Sequence, residues 1–550
     1  MSASFPRLRV VVLVAALAFL SPFAAADQKP LAQYGKGSGN PFADDFARFA
    51  NETLHRWHVP GLSIAVIDGQ DIYAKGYGFA SLPATPARPE TLWYAASTTK
   101  AFTGAVLSHL IHADEHEALA RGWDTPIASI IRDDFVLQDE WATAHVTLED
   151  AVSHRTGMPR HDITSRHLVD GRAARPRDIV RNLRNLPLTA EPRVRFQYCN
   201  LMYVALSHVV ETLTGRWLGR VLRDTIWAPL GMNATYFDLD DALAAPTGRL
   251  AQGYWWSDAD AAFREVPRMP VTEASGAGAV FSTVLDYARW VRSLLREAGP
   301  LSPAVHRDIK TPRIVVAMPS NGRDVETYGL GWERSAYRGQ PMYTHSGGNH
   351  GFGAEVYWFP DIGYGVVAFA NTAMTSNAAE EALIFALVDA KLGIAPEDRV
   401  DVDKKWRDIM AGAQHMLDNA LDDIYPDRPE TPAPATVAME ALAGTYHDPG
   451  YGNMTLQVDV DPDDAAEKIL VGSRPDDTWP MEMKMHHISA DYWILFMVMP
   501  QNPTVFFKAF AAAQFKFDVA GRAKALEVQF RLTRSQGVGT EAPVVFRRLN

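Results

Sequence analysis

Two predicted β-hairpins, set far apart along the chain, constrain its fold more than any other feature. Their strands lie at residues 61–67, 72–77, 354–359 and 364–371. The first hairpin turns at Asp68-Gly69 and the second at Pro360-Asp361-Ile362-Gly363. Helices are predicted at residues 98–112, 201–213, 284–295 and 378–391. We therefore expect an α/β fold in which one antiparallel sheet is assembled from both ends of this segment, with a helical insertion between them.

The C-terminal part has a different pattern, which begins after a proline-rich stretch. A helical stretch at residues 403–422 is followed by residues 425–435, whose four prolines prevent regular hydrogen-bonded structure. Beyond this linker, strand-like alternation recurs at residues 455–460, 468–471, 492–499, 504–509 and 525–532. The spacing predicts a small antiparallel barrel or sandwich.

The N-terminus has the pattern of a secretory signal peptide. Arg7 and Arg9 precede an apolar run at residues 10–20, and Ala24-Ala25-Ala26 offers a small-residue cleavage site before Asp27. A membrane anchor needs ~20 apolar residues, about twice this run, and the amphipathic Arg/Ser pattern of a mitochondrial transit peptide is lacking. We expect a secreted protein, or a periplasmic or lumenal one in a host that retains it. The expected parts are a signal peptide at 1–26, an α/β domain at 27–395, a helical connector with the linker at 396–436, and an all-β domain at 437–550.

Composition excludes several kinds of protein. Of the 550 residues, 47% are hydrophobic, so the chain can bury a full core. The net charge of −12, without a Lys/Arg-rich run, argues against nucleic acid as a partner. Cys199 is the only cysteine, which excludes an intramolecular disulfide and a cysteine-rich zinc site. Three sequons, at Asn51, Asn233 and Asn453, would be glycosylated in a eukaryotic secretory pathway.

Ser97-Thr98-Thr99-Lys100 is the first of three polar motifs that could carry chemistry. At the start of a predicted helix, the Ser97 hydroxyl and the Lys100 ammonium lie one turn apart on the same face. One interpretation is a helix-capping serine followed by a surface lysine. Against it, a cation in the first turn opposes the helix dipole. A lysine with a lowered pKa can instead help to remove the serine proton, which makes the hydroxyl nucleophilic.

The other two motifs also have ordinary structural interpretations. In Tyr198-Cys199-Asn200, the asparagine could cap the following helix and the tyrosine could pack as an aromatic residue. The motif His345-Ser346-Gly347-Gly348 could be a glycine-rich turn with an incidental histidine. Each motif alone is weak support for catalysis.

Rival sites are suggested by Cys199 and by a pair of histidines. A cysteine protease could use Cys199, but a packed thiol is the more common role of a lone cysteine. His112 and His116 have a helical metal-ligand spacing, yet no HExxH pattern is present and a solvated helix end fits them better.

Taken together, the three motifs resemble those of the serine β-lactamase and penicillin-binding-protein-like hydrolases. That family carries Ser-x-x-Lys, then Tyr-x-Asn, then Lys-Thr-Gly or His-x-Gly, matched here by Ser97/Lys100, Tyr198/Asn200 and His345/Gly347. Class C β-lactamases, D-aminopeptidases, D-alanyl-D-alanine carboxypeptidases and esterases look most similar. Accessory segments that look like the family are Ser153-His154-Arg155-Thr156-Gly157, Pro229-Leu230-Gly231-Met232, Ser282-Thr283 with Asp286, and Tyr328-Gly329-Leu330-Gly331-Trp332.

The resemblance covers about residues 41–390 and implies a β-lactamase/transpeptidase-like antiparallel sheet with a helical insertion. The C-terminal part resembles the lipocalin-like barrel appended to some members, through Gly444-Thr445-Tyr446 and Pro449-Gly450-Tyr451-Gly452. Such a barrel could bind an apolar ligand, cover the active-site cleft or mediate oligomerisation. The oligomeric state stays open.

The resemblance further implies acyl transfer through Ser97. Lys100 and Tyr198 would share the serine proton, with the Lys100 ammonium favouring an ionised Tyr198 as general base. The backbone N–H groups of Ser97 and Gly348 would bind the oxyanion. The implied substrate-binding residues are Asn200, His345, Ser346 and Gly347, with no metal and no other cofactor.

His345 stands where β-lactamases carry lysine, and a neutral imidazole attracts a substrate carboxylate less than an ammonium does. This departure disfavours true β-lactamase activity. We expect a secreted serine hydrolase that cleaves amide or ester bonds of small acyl compounds or short peptides, including peptides with D-residues, and that neither binds nucleic acid nor spans a membrane. Two alternatives stay open: an acyltransferase on the same fold, and a non-catalytic binding or assembly protein.

Overall fold

The computed structural model describes residues 39–245, 250–320, 322–462, 464–530 and 543–549. The expected signal peptide at residues 1–26 lies outside this range. Within it, an α/β unit precedes an all-β unit, and a helical connector joins them. No helix of the described residues is both long enough and apolar enough to cross a membrane.

A nine-stranded antiparallel sheet forms the centre of the α/β unit. Its strands are β1 (Gly61–Asp68), β2 (Asp71–Ser81), β3 (Thr85–Pro86), β4 (Ile314–Ala317), β5 (Glu326–Tyr328), β6 (Glu333–Tyr337), β7 (Gln340–Asn349), β8 (Phe352–Phe359) and β9 (Tyr364–Ala370). The order across the sheet is β4-β5-β6-β7-β8-β9-β1-β2-β3. Strands β1 and β9 are neighbours, with Ile64 opposite Ala368, so the two predicted hairpins meet in one sheet. The predicted fold class is therefore confirmed.

Helices cover both faces of this sheet. The long ones are α1 (Asp44–Arg56), α2 (Thr99–Ala113), α3 (Asn200–Thr214), α4 (Val284–Arg296), α5 (Thr375–Leu392) and α6 (Val402–Asp418). Shorter helices are Ile127–Ile130, Glu140–His145, Leu148–Val152, Pro176–Asn182, Leu218–Leu222, Leu239–Leu243, Ser275–Gly278, Pro303–Lys310, Ala420–Ile424 and Met439–Leu442.

Strand β1 explains why both faces need helices, because its side chains are buried on both sides. Ile64 and Val66 belong to an apolar core shared with α1 and α5. Ala65 and Ile67 belong to the opposite core, shared with α2, α3 and α4. Successive side chains of a strand point to opposite faces, so a continuous apolar run produces a central strand between two layers.

The C-terminal unit is a closed antiparallel barrel. Its eight strands are β10 (Gly444–Asp448), β11 (Gly452–Val460), β12 (Lys468–Arg474), β13 (Met481–Ser489), β14 (Tyr492–Val498), β15 (Lys508–Phe517), β16 (Ala523–Phe530) and β17 (Val544–Arg548). The predicted all-β unit is confirmed, but the strand predicted at residues 504–509 was largely wrong. Val505–Phe507 forms a 3₁₀ turn there, and the strand begins only at Lys508.

The barrel packs directly against the α/β unit. Leu186 of the α/β unit and Tyr451 of the barrel lie in the same apolar core.

Helix α6, in the connector between the two units, lies against α5, where Trp406 Nε1 donates a hydrogen bond to Glu381 Oε2 at 2.7 Å. Residues 425–435, which carry the prolines of the predicted linker, contain neither helix nor strand.

Candidate active site

Ser97 lies in a short 3₁₀ turn, Ala96–Thr98, that leads into helix α2. Its hydroxyl does not cap the helix, so the capping interpretation was wrong. The turn is held by other groups: Thr99 Oγ1 donates to the Ala96 carbonyl at 2.6 Å and accepts from the Val280 N–H at 3.0 Å. Ala96 has φ +46°, a left-handed conformation that is unusual for a residue with a Cβ. Such strained backbone is concentrated at functional sites.

Lys100 is fully buried, so the surface-lysine interpretation was also wrong. Its Nζ lies 3.1 Å from Ser97 Oγ, 2.8 Å from Asn200 Oδ1 and 2.7 Å from the Ala277 carbonyl oxygen. The amide and carbonyl oxygens only accept hydrogen bonds, whereas the serine hydroxyl can also donate. A neutral amine fits these partners, because it gives its two hydrogens to Asn200 and Ala277 and keeps its lone pair for the Ser97 proton.

Burial and the charge of Arg160 favour the neutral form of Lys100, whereas Asp162 opposes it. Burial holds the pKa of Lys100 well below its ordinary value, and the nearby positive charge of Arg160 lowers it further. Burial also raises the pKa of Tyr198 above its ordinary value, while Arg160 and hydrogen bonding to Ser97 act in the opposite direction. Both pKa directions oppose the expected pairing of a lysine ammonium with a tyrosinate.

Tyr198 and Asn200 surround Lys100 from the start of α3. The Tyr198 ring centroid lies 4.8 Å from Lys100 Nζ. Asn200 is the first residue of α3, and the capping position belongs to Cys199, whose side chain makes no capping bond. The capping interpretation of Asn200 was therefore wrong, because its side chain is used to bind Lys100.

His154 fixes the backbone of the Tyr198-Cys199-Asn200 motif. It is fully buried, and its Nδ1 accepts a hydrogen bond from the Cys199 N–H at 3.0 Å. Its ring centroid lies 4.3 Å from that of Tyr198. The sequence singled out the Ser153–Gly157 segment as similar to the family, but it did not indicate this contact.

His345 lies within strand β7, so the glycine-rich-turn interpretation was wrong. It is almost fully buried, and its Nδ1 lies 2.6 Å from the Ser346 carbonyl oxygen. Because that oxygen only accepts, Nδ1 carries the hydrogen, and Nε2 accepts from the Tyr328 hydroxyl at 3.0 Å. Burial, the largest cause, lowers the pKa of His345 to about 3, so the imidazole is neutral at physiological pH.

The glycines of β7 allow this strand to pass close to Ser97. A Cβ on Gly347 would lie 2.6 Å from the Ala95 carbonyl oxygen and 3.3 Å from Ala96 Cβ, so only glycine fits there. Ser346 and Gly348 are exposed, and a Cβ on Gly348 would meet nothing within 4 Å. Open space therefore lies beside the strand at Gly348.

Arg160 and Asp162 are functional-site residues that sequence reasoning missed. Asp162 Oδ1 accepts from Asn200 Nδ2 at 3.0 Å, and Asp162 Oδ2 accepts from Arg160 Nε at 2.7 Å. The Arg160 guanidinium lies 4.9 Å from the Tyr198 ring centroid. Both residues come from an irregular loop whose sequence has no periodic pattern, so no local signal pointed to them.

The rival sites do not have the geometry of catalytic sites. Cys199 is fully buried, and burial raises the pKa of its thiol to about 12, so a thiolate is disfavoured. His112 Nε2 lies 2.9 Å from Asp308 Oδ2, an ion-pair geometry that anchors α2 to a neighbouring helix.

Comparisons with known proteins agree with this fold. Residues 42–389 match the family model described as Beta-lactamase. Unguisins hydrolase ungD' from Aspergillus campestris is 41% identical over 459 residues, which cover 83% of this chain and 85% of the relative. Unguisins hydrolase ungD from Aspergillus violaceofuscus is 38% identical over 531 residues, with 92% and 91% covered.

A solved structure has the same overall fold. The octameric penicillin-binding protein homologue from Pyrococcus abyssi aligns with a TM-score of 0.56 at 20% identity, over 91% of this chain and 99% of that one. These similarities define a serine hydrolase. The chain belongs to the beta-lactamase family.

Proposed function

We propose that this protein hydrolyses amide or ester bonds of small acyl compounds or short peptides through an acyl-Ser97 intermediate. The position of Lys100 carries the proposal. Its Nζ lies 3.1 Å from Ser97 Oγ in a fully buried environment, and its other two partners are oxygens that only accept. We take Lys100 to act as the neutral amine, whose lone pair then faces the serine hydroxyl, as a general base requires.

In the acylation step, the Ser97 proton moves to Lys100 Nζ while Oγ bonds to the substrate carbonyl carbon. The carbonyl oxygen becomes an oxyanion and accepts hydrogen bonds from the N–H groups of Ser97 and Gly348. As the intermediate collapses, the C–N or C–O bond breaks. The leaving group receives a proton from the Tyr198 hydroxyl, which Lys100 then reprotonates.

In the deacylation step, a water molecule attacks the acyl-Ser97 carbonyl and gives its proton to Lys100. A second tetrahedral intermediate forms, and the bond between Ser97 Oγ and the acyl carbon breaks. The Ser97 oxygen takes back the proton from Lys100, and the free acid leaves. The same neutral amine and phenol are restored at the end of the cycle.

The charged groups near Ser97 favour substrates that carry no carboxylate next to the scissile bond. His345 is neutral, and the nearby cation Arg160 is already paired with Asp162 at 2.7 Å. A carboxylate next to the scissile bond would therefore have to compete with Asp162 for Arg160. We include unguisins among the proposed substrates because two relatives that align over most of this chain carry that name.

Hydrolysis of a short-chain p-nitrophenyl ester and of an unguisin tests this proposal. The wild type should release p-nitrophenol and the free acid from the ester and should cleave the unguisin, and Ser97→Ala should abolish both reactions. Ser129→Ala is the matched control, because Ser129 is an exposed serine outside the three motifs and should keep activity. Equal turnover by the wild type and Ser97→Ala would contradict the acyl-Ser97 mechanism.

We also propose that the protein is secreted. The charged, apolar and small-residue pattern before Asp27 supports this, and Asn51, Asn233 and Asn453 are all exposed, as glycosylated asparagines must be. Expression in the native host, followed by N-terminal sequencing of the protein in the medium, tests the proposal. A start at Asp27 is expected, whereas an intact Met1 on protein found only inside cells would contradict secretion.

A further inference from the structure

A tyrosine of the barrel binds a buried histidine beside the active site. Tyr451 and His161 are both fully buried, and the Tyr451 hydroxyl lies 2.7 Å from His161 Nδ1. The other ring nitrogen, Nε2, lies 2.9 Å from the Pro187 carbonyl oxygen. Because a carbonyl oxygen only accepts, Nε2 carries the hydrogen and Nδ1 accepts from Tyr451. Burial lowers the pKa of His161 to about 4, in agreement with a neutral ring.

His161 sits between the two loop residues that face the catalytic lysine. Its φ of +41° is left-handed, a conformation that a non-glycine residue keeps only when its surroundings hold it. On one side, Arg160 lies over the Tyr198 ring. On the other side, Asp162 accepts from Asn200 at 3.0 Å, and Asn200 accepts from Lys100 at 2.8 Å. Hydrogen bonds therefore connect Tyr451 to His161 and Asp162 to Lys100 through Asn200. The link between His161 and Asp162 is the peptide bond that joins them.

The barrel contacts the rest of this loop as well. The Thr478 N–H donates to the Ser165 carbonyl at 2.9 Å, and His167 Nδ1 lies 2.9 Å from the Asp477 carbonyl oxygen. Thr478 also bonds through its hydroxyl to the buried carboxyl of Glu273. The loop is therefore held along its length by backbone and side-chain groups of the barrel.

We propose that the barrel takes part in catalysis through Tyr451, a positioning residue that holds the Arg160–Asp162 loop against Asn200 and Lys100. The inference rests on the proposed function, since it explains how Lys100, the base of that reaction, is held in place. It gives the barrel a role that neither ligand binding nor oligomerisation requires. The barrel and the α/β unit then form one catalytic unit.

Tyr451→Phe tests the proposal, because it removes only the hydroxyl. Tyr446→Phe is the matched control: Tyr446 is also fully buried, and its hydroxyl donates to the Leu442 carbonyl at 2.7 Å within the barrel region. Both variants lose one buried hydrogen bond and should lose similar stability. Only Tyr451→Phe should lower kcat/KM for the ester, by about 10- to 100-fold, as expected for small misplacement of a catalytic group.

The pH profile separates positioning from a general structural effect. The groups that face Lys100 are Arg160, Asp162, Tyr198, Cys199, Tyr203, His154 and His345. Loosening the loop admits water and moves Arg160 away, and both changes raise the pKa of Lys100. Moving Asp162 away has the opposite but smaller effect. The acidic limb of kcat/KM should therefore move to higher pH in Tyr451→Phe and stay in place in Tyr446→Phe.

A second variant, His161→Gln, tests the same contact if Tyr451→Phe does not fold. His161→Gln retains a donor for the Pro187 carbonyl but offers no acceptor at the position of Nδ1, so it should show the same loss and the same shift. Wild-type kcat/KM and pH profile in a folded Tyr451→Phe or His161→Gln would overturn the inference, as would an equal loss in Tyr446→Phe. An inert wild type would instead overturn the proposed function.

Discussion

Asn377 Nδ2 donates a hydrogen bond to the Gly347 carbonyl oxygen at 3.0 Å, which ties helix α5 to the strand that passes Ser97. The same amide donates to Glu355 Oε1 at 3.0 Å. Glu355 is buried, and burial raises its pKa to about 8, with the nearby Glu381 acting in the same direction. The strand that carries Gly348 is thus anchored through Asn377 to a carboxyl group that is protonated at neutral pH.

Glu355 should make the stability of the protein depend on pH. Its pKa in the folded protein lies above the ordinary value of 4.5, so its contribution is complete below that value and is lost as pH rises through about 8. We expect Glu355→Gln to remove this part of the slope, since glutamine is neutral and can still accept from Asn377. Parallel curves of Tm against pH for the wild type and Glu355→Gln would contradict this assignment.

Lys100→Met should abolish most of the activity. Methionine has a similar length and no amine, so the Ser97 proton would lose its acceptor, and kcat/KM should fall by about 10³-fold or more. Circular dichroism should report a folded protein. Lys75→Met, at an exposed lysine of β2, is the control and should behave as the wild type. A Lys100→Met variant with more than about a tenth of wild-type activity would be incompatible with lysine as the base.

Arg160→Gln should shift the pH dependence of activity. Arg160 is the second cause, after burial, of the lowered pKa of Lys100. Removing its charge raises that pKa, so a larger fraction of Lys100 is protonated at a given pH and the acidic limb of kcat/KM moves to higher pH. Arg132→Gln, at an exposed arginine, should leave the limb in place. A shift to lower pH in Arg160→Gln would contradict the electrostatic account.

Gly347→Ala should disturb both stability and activity. The new Cβ would lie 2.6 Å from the Ala95 carbonyl oxygen, so strand β7 or the turn before Ser97 has to move. We expect a loss of about 1–3 kcal/mol in the free energy of unfolding, measured by urea denaturation, and a fall in kcat. Gly348→Ala is the control for stability, because its Cβ would meet nothing within 4 Å. Equal unfolding midpoints for the two variants would refute the tight contact at Gly347.

The α/β unit could be predicted well because its signals are local and strong. Continuous apolar runs with tight turns gave the hairpins, and helical periodicity gave α2, α3, α4 and α5 with ends close to those in the structure. The barrel was predicted less completely. Its strand Met481–Ser489 alternates methionine with glutamate, lysine and histidine. Methionine, glutamate and lysine favour helices, so their propensities worked against the two-residue strand pattern.

Only those residues of the candidate site that belong to a sequence motif could be predicted. Ser97, Lys100, Tyr198 and Asn200 do meet, as their motif order implied. The pKa directions at Lys100 and Tyr198 could not be predicted, because they depend on how completely each group is buried. Tyr451 lies 290 residues after His161 in the chain. Their contact forms only when the barrel packs against the α/β unit.

The most direct test of the central claim is the intact mass of the purified protein after exposure to a fluorophosphonate, which reacts with activated serines. Wild-type protein should gain one adduct, located at Ser97 by peptide mapping. Ser97→Ala and Lys100→Met should stay unmodified under the same conditions, because one lacks the nucleophile and the other lacks its base. A wild type that stays unmodified, or an adduct that persists in Ser97→Ala, would contradict the account.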